Sequence, residues 1–507
     1  MLSTQLDTKD LALELANPQI LLTTLRQLRQ AVYEEGQEIF SRWRSHIQRP
    51  AFIDSSLNLA YYLALRRHDL RHLQAALMPW GLSSLGRIEA RVLANLDAVI
   101  ATLAAVCHES PNPQISQPPL ESFFEGDRLL KIHTQELFGD TLQQRRVRIM
   151  VTLPTEAASN YEFIKQLIQQ GTDCVRINCA HDTPSEWSAM IAHVRSAEVE
   201  VKRSCQVLID LSGPKIRIQS VIVPQGKQHI EQGDCLWLKR DLLNNGDSQS
   251  CQISCTLPEV VDRLEVGAPV WIDDGHIGAI VEAIAPEGAL LRITHTRPKG
   301  EKLRPDKGIN FPNTDLHLCP LTDKDRQDLD FIAANAKDVD IIGYSFVQKP
   351  EDIATLQQEL QARLSSNTKI PAIVAKIETP TAVTNLPELI VQAAGKQPFG
   401  IMIARGDLAV EIGYQRLAEI QEEILWLCEA AHVPVIWATQ VLENLVKNGL
   451  PSRAEMTDAA MAERAECVML NKGPYIVQAV AILDDVLTRM EAHQTKKTPQ
   501  LRALHSW

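Results

Sequence analysis

Val147-Arg-Ile-Met-Val-Thr152, Tyr161-Glu-Phe-Ile-Lys-Gln-Leu-Ile-Gln-Gln170 and Cys174-Val-Arg-Ile-Asn178 follow one another along the chain, and their alternation decides the fold. The first and third are short, apolar and β-branched, the pattern of strands buried on both faces. The second repeats apolar residues at three- and four-residue steps, as a helix with one buried side does. The rhythm continues with a helical stretch at 185–197 and a strand at 205–210. It pauses over 218–305, where turn-rich alternating runs such as Val270-Trp-Ile-Asp-Asp-Gly-His-Ile-Gly-Ala-Ile-Val281 read as a small all-β insert. It resumes with candidate strands at 339–345, 372–377, 400–404, 434–438 and 467–470. Three strands before the insert and five after it suit a closed (β/α)8 barrel. The alternative, an open doubly wound sheet, usually carries a Gly-rich phosphate turn, and neither GxGxxG nor GxxxxGK[ST] occurs.

Upstream, residues 11–107 repeat apolar residues at helical steps with little strand-like alternation, and prolines 111, 113, 118 and 119 mark a connection. The expected fold is therefore α/β: a (β/α)8 TIM barrel with an inserted all-β lid domain and an N-terminal α-helical domain. The expected bounds are 1–107 for the helical domain, 108–145 for a linker, 146–217 and 306–507 for the two parts of the barrel with its C-terminal tail, and 218–305 for the lid.

With 507 residues the chain is too long for one small domain, and 45% apolar and 22% charged residues suit a globular protein. A net charge of −12 disfavours a nucleic-acid partner, which needs a basic face. The N-terminus has no signal pattern and no apolar run approaches the ~20 residues of a membrane span, so no membrane partner is expected. Ten scattered cysteines without paired CxxC sets read as buried thiols in a reducing, cytoplasmic compartment.

In such a barrel the chemistry sits at the C-terminal ends of the strands. Those ends carry Arg176 and Asn178, Asp210 followed by Lys215 and Arg217, Ser345, Lys376 and Glu378, Arg405 and Asp407, and Thr439. Glu378 and Asp407 are oxygen donors of the kind Mg²⁺ or Mn²⁺ prefers; the competing reading pairs either one with an arginine such as Arg405. Lys376, two residues before Glu378, points to the same side of an extended strand end. A lysine and a metal there neutralise developing oxyanion charge, whereas the plainer reading is a salt-bridged lysine. Arg176 and Arg217 can grip phosphate through forked hydrogen bonds or form ordinary ion pairs. Thr439 reads either as a plain strand-end residue or as the holder of a proton-carrying water.

The segments Val175-Arg-Ile-Asn-Cys-Ala-His181, Ile209-Asp-Leu-Ser-Gly-Pro-Lys-Ile-Arg217, Ile272-Asp-Asp-Gly275, Lys307-Gly-Ile-Asn-Phe-Pro312, Ala375-Lys-Ile-Glu378, Ile403-Ala-Arg-Gly-Asp407 and Trp437-Ala-Thr-Gln-Val-Leu-Glu443 resemble those of pyruvate kinase, in that family's order. The resemblance implies phosphoryl transfer between phosphoenolpyruvate and ADP, giving pyruvate and ATP. It implies Glu378 and Asp407 as metal ligands, Lys376 and Arg176 at the transferring phosphoryl group, and Thr439 near the carbon that is protonated. Asn178, His181 and Arg217 would lie on the nucleotide side, and Lys307 would meet nucleotide phosphates when the lid closes. Ala404, Arg405 and Gly406 would line the bound carboxylate.

Three departures from the family pattern stand out. Many members bind K⁺ with the residues matching Asn178 and Asp210 and a serine, which here is Ala180. The Glu of their Gly-Pro-Glu-Ile-Arg is Lys215, whose ammonium would substitute for K⁺ beside Asn178 and Asp210, so activity without K⁺ is expected. The family's Ser-Gly-Glu-Thr-Ala turn is replaced by Asn471-Lys-Gly-Pro-Tyr475. The sequence given ends soon after that turn, which implies that the family's C-terminal regulatory domain and its effector site are missing; a homo-oligomer stays open. Two other readings compete: a metal-dependent lyase or transferase acting on another 2-oxo acid or enol phosphate, and a non-catalytic binding protein whose helical unit is the interaction module.

Overall fold

A strand buried along most of its length needs a neighbour on each edge and cover on each face, and eight such strands in this chain meet that need by closing on themselves. The computed structural model describes residues 17–500 except 83, 110–114, 141–144, 242–249, 313, 315, 317 and 366–367. The barrel strands are β1 (Arg148–Thr152), β2 (Cys174–Asn178), β3 (Gln206–Asp210), β11 (Ile341–Tyr344), β12 (Ala372–Ile377), β13 (Phe399–Ala404), β14 (Val435–Ala438) and β15 (Cys467–Leu470). They are parallel and closed in the order β1-β15-β14-β13-β12-β11-β3-β2. Helices such as α6 (Tyr161–Gln170) and α7 (Pro184–Val201) cover the outside, as the sequence rhythm predicts.

Inside the barrel, Met150, Cys174, Leu208, Ala372, Val374, Met402, Ile436 and Cys467 form a separate apolar cluster. Most stand at or near strand starts, so the N-terminal end of the barrel is its packed end. Leu137 and Phe138 join that cluster from helix α5 (Glu125–Phe138). The plug is tight: a Cβ on Gly400 would lie 2.5 Å from Leu137 Cδ2.

Helix α5 corrects the expectation of a linker at 108–145. Its apolar residues Leu129, Leu130 and Leu137 recur at helical spacing, but the nearby prolines dominate the sequence reading. Prolines 111 and 113, the segment 141–144 and both chain ends lie outside the described residues.

The insert is a seven-stranded sheet in the order β10-β7-β8-β9-β5-β6-β4 with its own core, including Leu236, Ile253, Val270 and Leu291. Its strands are β4 (Ile218–Ile222), β5 (Cys235–Lys239), β6 (Cys251–Cys255), β7 (Pro269–Ile272), β8 (Ile277–Ala285), β9 (Gly288–His295) and β10 (Ile309–Asn310). The sheet thus extends past the expected limit at 305, because the returning chain pairs Ile309 with Ile272. Asp273, Asp274 and Gly275 all have positive φ at the β7–β8 turn, where the sequence reading places a tight turn. The chain leaves and re-enters the barrel side by side, with Ile218 N donating to Lys307 O and Ile309 N to Ile216 O, both at 2.8 Å.

The N-terminal helices α1 (Pro18–Trp43), α2 (Ile53–Arg66), α3 (Arg71–Leu77) and α4 (Val92–Val106) share one continuous core with the outer layer of the barrel. Asn17 caps α1 by accepting from Gln19 N at 2.9 Å, with Pro18 in its first turn. Asn58 Nδ2 bridges Glu89 O and Ala430 O, each at 2.8 Å. The buried ring of His432 lies between Ser55 Oγ and Ala90 O, and burial pushes its pKa down to about 4. No helix among the described residues is long and apolar enough to cross a membrane.

Phe138→Ala is expected to destabilise the barrel by about 3–5 kcal/mol, the usual cost of emptying a buried aromatic site. A thermal melting midpoint equal to that of the wild type would show that helix α5 does not plug the barrel.

Candidate functional site

The alternation that buries Cys174, Leu208, Val374, Met402 and Ile436 inside the barrel carries the next inward residues to its open mouth. On β2 these are Arg176 and Asn178, on β3 Asp210, on β12 Lys376, and on β13 Ala404. Polar groups therefore replace apolar ones at one end of a single interior.

Three of these groups, Arg176, Asp210 and Lys376, lock together with Glu378. Asp210 is 1% exposed and accepts from Arg176 Nε at 2.8 Å; Arg176 Nη1 also donates to Thr152 Oγ1 at 3.1 Å. Lys376 Nζ donates to Ser345 Oγ at 2.7 Å and lies 3.0 Å from Glu378 Oε1 and 3.6 Å from Asp210 Oδ2. Burial works against the charge on Lys376, but Asp210 and Glu378 outweigh it and hold the ammonium above its ordinary pKa. Burial likewise opposes the Asp210 carboxylate, and Lys376 with Arg176 still keeps it below the usual range. Glu378 Oε2 accepts from Phe346 N at 2.7 Å, and Phe346 has a φ of 55°, a left-handed conformation that a bulky residue rarely adopts.

A second group stands beside the first. Asp407, on helix α12 (Arg405–Ile412), accepts from Lys215 Nζ at 2.9 and 3.1 Å, and Lys215 keeps it low in pKa despite burial. Burial pushes Glu378 up; Lys376 opposes that push and Asp407 adds to it, as expected for two carboxylates sharing one region. Asn310, returning from the lid, donates to Glu411 at 3.0 Å and reaches Asp407 at 3.5 Å. A cavity of about 320 Å³ opens here between lid and barrel, lined in part by Lys215, Asn310, Phe346, Thr379 and Glu411.

The donor set fits a hard divalent ion. Glu378 is a buried oxygen donor and Asp407 a partly buried one, their charges are mutually unfavourable, and lysines neutralise both. Among the described residues no group of three or more His, Cys, Asp or Glu forms a metal cage. An ion here would take its remaining oxygens from water or a bound molecule, as Mg²⁺ commonly does.

Arg405 is not the partner of either acid. It donates to Asp458 at 2.8 Å, to Ala438 O at 2.9 Å and to Thr439 O at 2.6 Å, with its guanidinium 4.6 Å from the centre of the Trp437 ring. Thr439 adopts φ 66°, and its buried hydroxyl has no partner among the described residues. A Cβ on Gly406 would lie 3.8 Å from that hydroxyl, so Ala404, Arg405, Gly406 and Thr439 line one stretch of the mouth.

The remaining expected residues are more scattered. Asn178 Oδ1 accepts from Ala180 N at 3.0 Å. His181 is depressed in pKa by burial, then by the positive charges of Lys472 and Arg217. Arg217 donates to Asp306 O at 2.9 Å. Lys307 pairs with Asp273 in the lid turn at 2.8 Å. Lys215 pairs with Asp407 and, at 3.8 Å, with Asp274; Asp210 is met instead by Arg176 and Lys376. In the replaced turn, Asn471 Nδ2 donates to Glu443 at 3.2 Å, and Gly473 packs so closely on Val446 that a Cβ would come within 2.6 Å.

Sequence reasoning gave no role to Asn310, Glu411, Asp458 or the Phe346 amide. Glu411 was findable: it follows Asp407 by four residues, one helical turn on the same face. Burial, then Asp407 and Glu378, against one hydrogen bond from Asn310, raises the Glu411 carboxyl to about 7. In metal-free buffer the folded chain therefore keeps this proton between its ordinary pKa, 4.5, and about 7, while the unfolded chain releases it. The group's contribution to stability is full below that window and is lost as pH rises through about 7. Glu411→Gln is expected to raise the melting midpoint at pH 8 and to change it little at pH 4.5, read by thermal denaturation in EDTA; an equal shift at both would refute the assignment.

Comparison with known proteins gives the same picture. The family model described as "Pyruvate kinase, barrel domain" matches residues 144–480. Among similar proteins, the pyruvate kinase of Methylorubrum extorquens is 33% identical over 355 residues, covering 69% of this chain and 69% of that protein. The pyruvate kinase of Geobacillus stearothermophilus is 31% identical over 355 residues, 69% of this chain, and that of Thermotoga maritima 32% over 355 residues, 68% of this chain. The match spans 57% of the Geobacillus enzyme and 71% of the Thermotoga one. The barrel, its lid and the charged mouth thus belong to a chain that is a member of the pyruvate kinase family.

Proposed function

We propose that this chain transfers the phosphoryl group of phosphoenolpyruvate to ADP, giving pyruvate and ATP, with Mg²⁺ or Mn²⁺ held by Glu378 and Asp407. The observation that carries the reading is the Lys376 ammonium buried between Asp210 and Glu378 beside Arg176. Phosphoryl transfer rests on positioning and on neutralising charge as it moves, and that cluster offers fixed positive groups at one point. Glu378 and Asp407 would hold the ion, which would supply Lewis-acid charge neutralisation at the reacting oxygens.

The family resemblance and the neighbours of each side chain support the following roles. Arg176 and Lys376 face the phosphoryl group, and Lys376 stabilises the enolate oxygen left when the P–O bond breaks. Asp210 and Ser345 position Lys376. The enol carbon then takes a proton from water oriented by the free hydroxyl of Thr439. Ala404, Arg405 and Gly406 hold the carboxylate end, with Arg405 fixed by Asp458. Asn178, His181 and Arg217 serve the nucleotide, and Lys307 reaches its phosphates from the lid. The substrates of this reaction suit a cytoplasmic protein.

Activity without K⁺ is part of the proposal. Lys215 supplies a fixed charge to this site through Asp407, which supports that part by a different route from a place between Asn178 and Asp210. The altered turn Asn471-Lys-Gly-Pro-Tyr475 favours a second reading, an enzyme of another enol phosphate or 2-oxo acid, since the change sits at the same mouth.

A coupled assay with phosphoenolpyruvate, ADP and Mg²⁺ separates the readings. Lys376→Met is expected to lower kcat about a thousandfold, on the order of the loss of one transition-state donor or more. A wild type that binds phosphoenolpyruvate yet forms no ATP favours the second reading. In tetramethylammonium buffer the wild-type rate is expected to stay within about twofold of that in K⁺, a small barrier change; a large K⁺ activation contradicts the role given to Lys215.

A further inference from the structure

The cavity of about 320 Å³ between lid and barrel has only two charged residues in its lining, Lys215 and Glu411. None of Arg176, Asp210, Lys376 and Thr439 lines it, so it lies beside the reaction centre proposed above and not within it. Its walls come from two parts of the chain. Ile216, Ile309 and Phe311 stand where the chain passes between barrel and lid, and Phe346 and Thr379 stand on the loops that follow β11 and β12.

The two charges are met differently. Lys215 Nζ lies 2.9 Å from Asp407 and 3.8 Å from Asp274. Glu411 has no cation: among the described residues its one side-chain partner is Asn310, which donates to Oε1 at 3.0 Å. The charges that act on Glu411, those of Asp407 and Glu378, are negative, and burial opposes its ionised form as well. Its Oε2 has no partner among the described residues and yet is not sealed from solvent, and the residue is half-buried along the cavity it lines.

The unanswered charge of the cavity is therefore negative, and the surroundings decide what answers it. A hydrated divalent ion needs several oxygen donors and keeps its water. The apolar faces of Ile216, Phe311 and Phe346 supply no such donors. They suit a short alkyl chain, and an ammonium at its end donates to a carboxylate that otherwise stays uncompensated. The volume falls within the roughly 300–1,000 Å³ of small-molecule sites.

We propose that this cavity binds a small organic cation, an ammonium carried on a short alkyl chain, with the ammonium against Glu411 and the chain against Ile216, Phe311 and Phe346. The site does not depend on the reaction proposed above.

Isothermal titration of the full, metal-free chain at pH 8 in sodium chloride buffer tests the proposal, with n-butylammonium chloride run beside n-butanol, a similar shape without the charge. The ammonium is expected to bind saturably and at least about tenfold more tightly than the alcohol. Glu411→Gln, which keeps the shape and removes the charge, is expected to erase that difference, while Glu378→Gln leaves the ammonium affinity within about threefold. No saturable binding of the ammonium overturns the proposal, as does an affinity unchanged in Glu411→Gln. A loss confined to Glu378→Gln overturns it too, by assigning the cation to the acids of the mouth. Should Glu411→Gln not fold, a wild-type crystal soaked in n-butylammonium decides: the cation beside Glu411 supports the site, and its presence only elsewhere refutes it.

Discussion

The ammonium of Lys376 is held in a nearly water-free position only because two carboxylates stand against it. Glu378 lies beyond it on its own strand, Asp210 comes from β3, and Arg176 from β2 balances Asp210 in turn. Taking such groups out of water is expensive, and removing one leaves another buried and unpaired. The arrangement is therefore all or nothing, and it exists only when β2, β3, β11 and β12 are adjacent and in register. Closure of the barrel and assembly of the mouth are one event.

The lid and the helices act on that centre from opposite sides. Lys215 and Asn310 both lie where the chain passes between barrel and lid, and both touch Asp407. Movement of the lid thus bears directly on one of the two acids proposed to hold the metal. Helix α5 fills the far end of the barrel with Leu137 and Phe138, leaving the mouth as the open end of the interior. The N-terminal helices are bound into the outer core through Asn58 and the buried His432 ring, so they form part of the scaffold.

How much of this the sequence revealed depended on whether the cause was local. Strands such as 174–178 and 372–377 were readable to the residue, because burial on both faces keeps them mainly apolar, broken only by the polar residues at their C-terminal ends. Helix α5 was not, since its neighbouring prolines carried a stronger local signal than its own spacing. At the site, the position of chemistry at the C-terminal strand ends singled out Arg176, Asp210, Lys376 and Glu378. Partner choice was beyond reach. Nothing near Lys215 says that it meets Asp407, or that Arg405 turns to Asp458 fifty-three positions away. Those pairings are set by the closure of the barrel and the path of the lid, which are long-range properties.

The central claim is that Glu378 and Asp407 hold a single divalent ion next to Lys376. Electron paramagnetic resonance of Mn²⁺ titrated into the protein reads this without turnover. One tightly bound ion per chain is expected, with affinity at least tenfold weaker in Glu378→Gln and in Asp407→Asn. An Mn²⁺ affinity left unchanged by both substitutions would contradict the account.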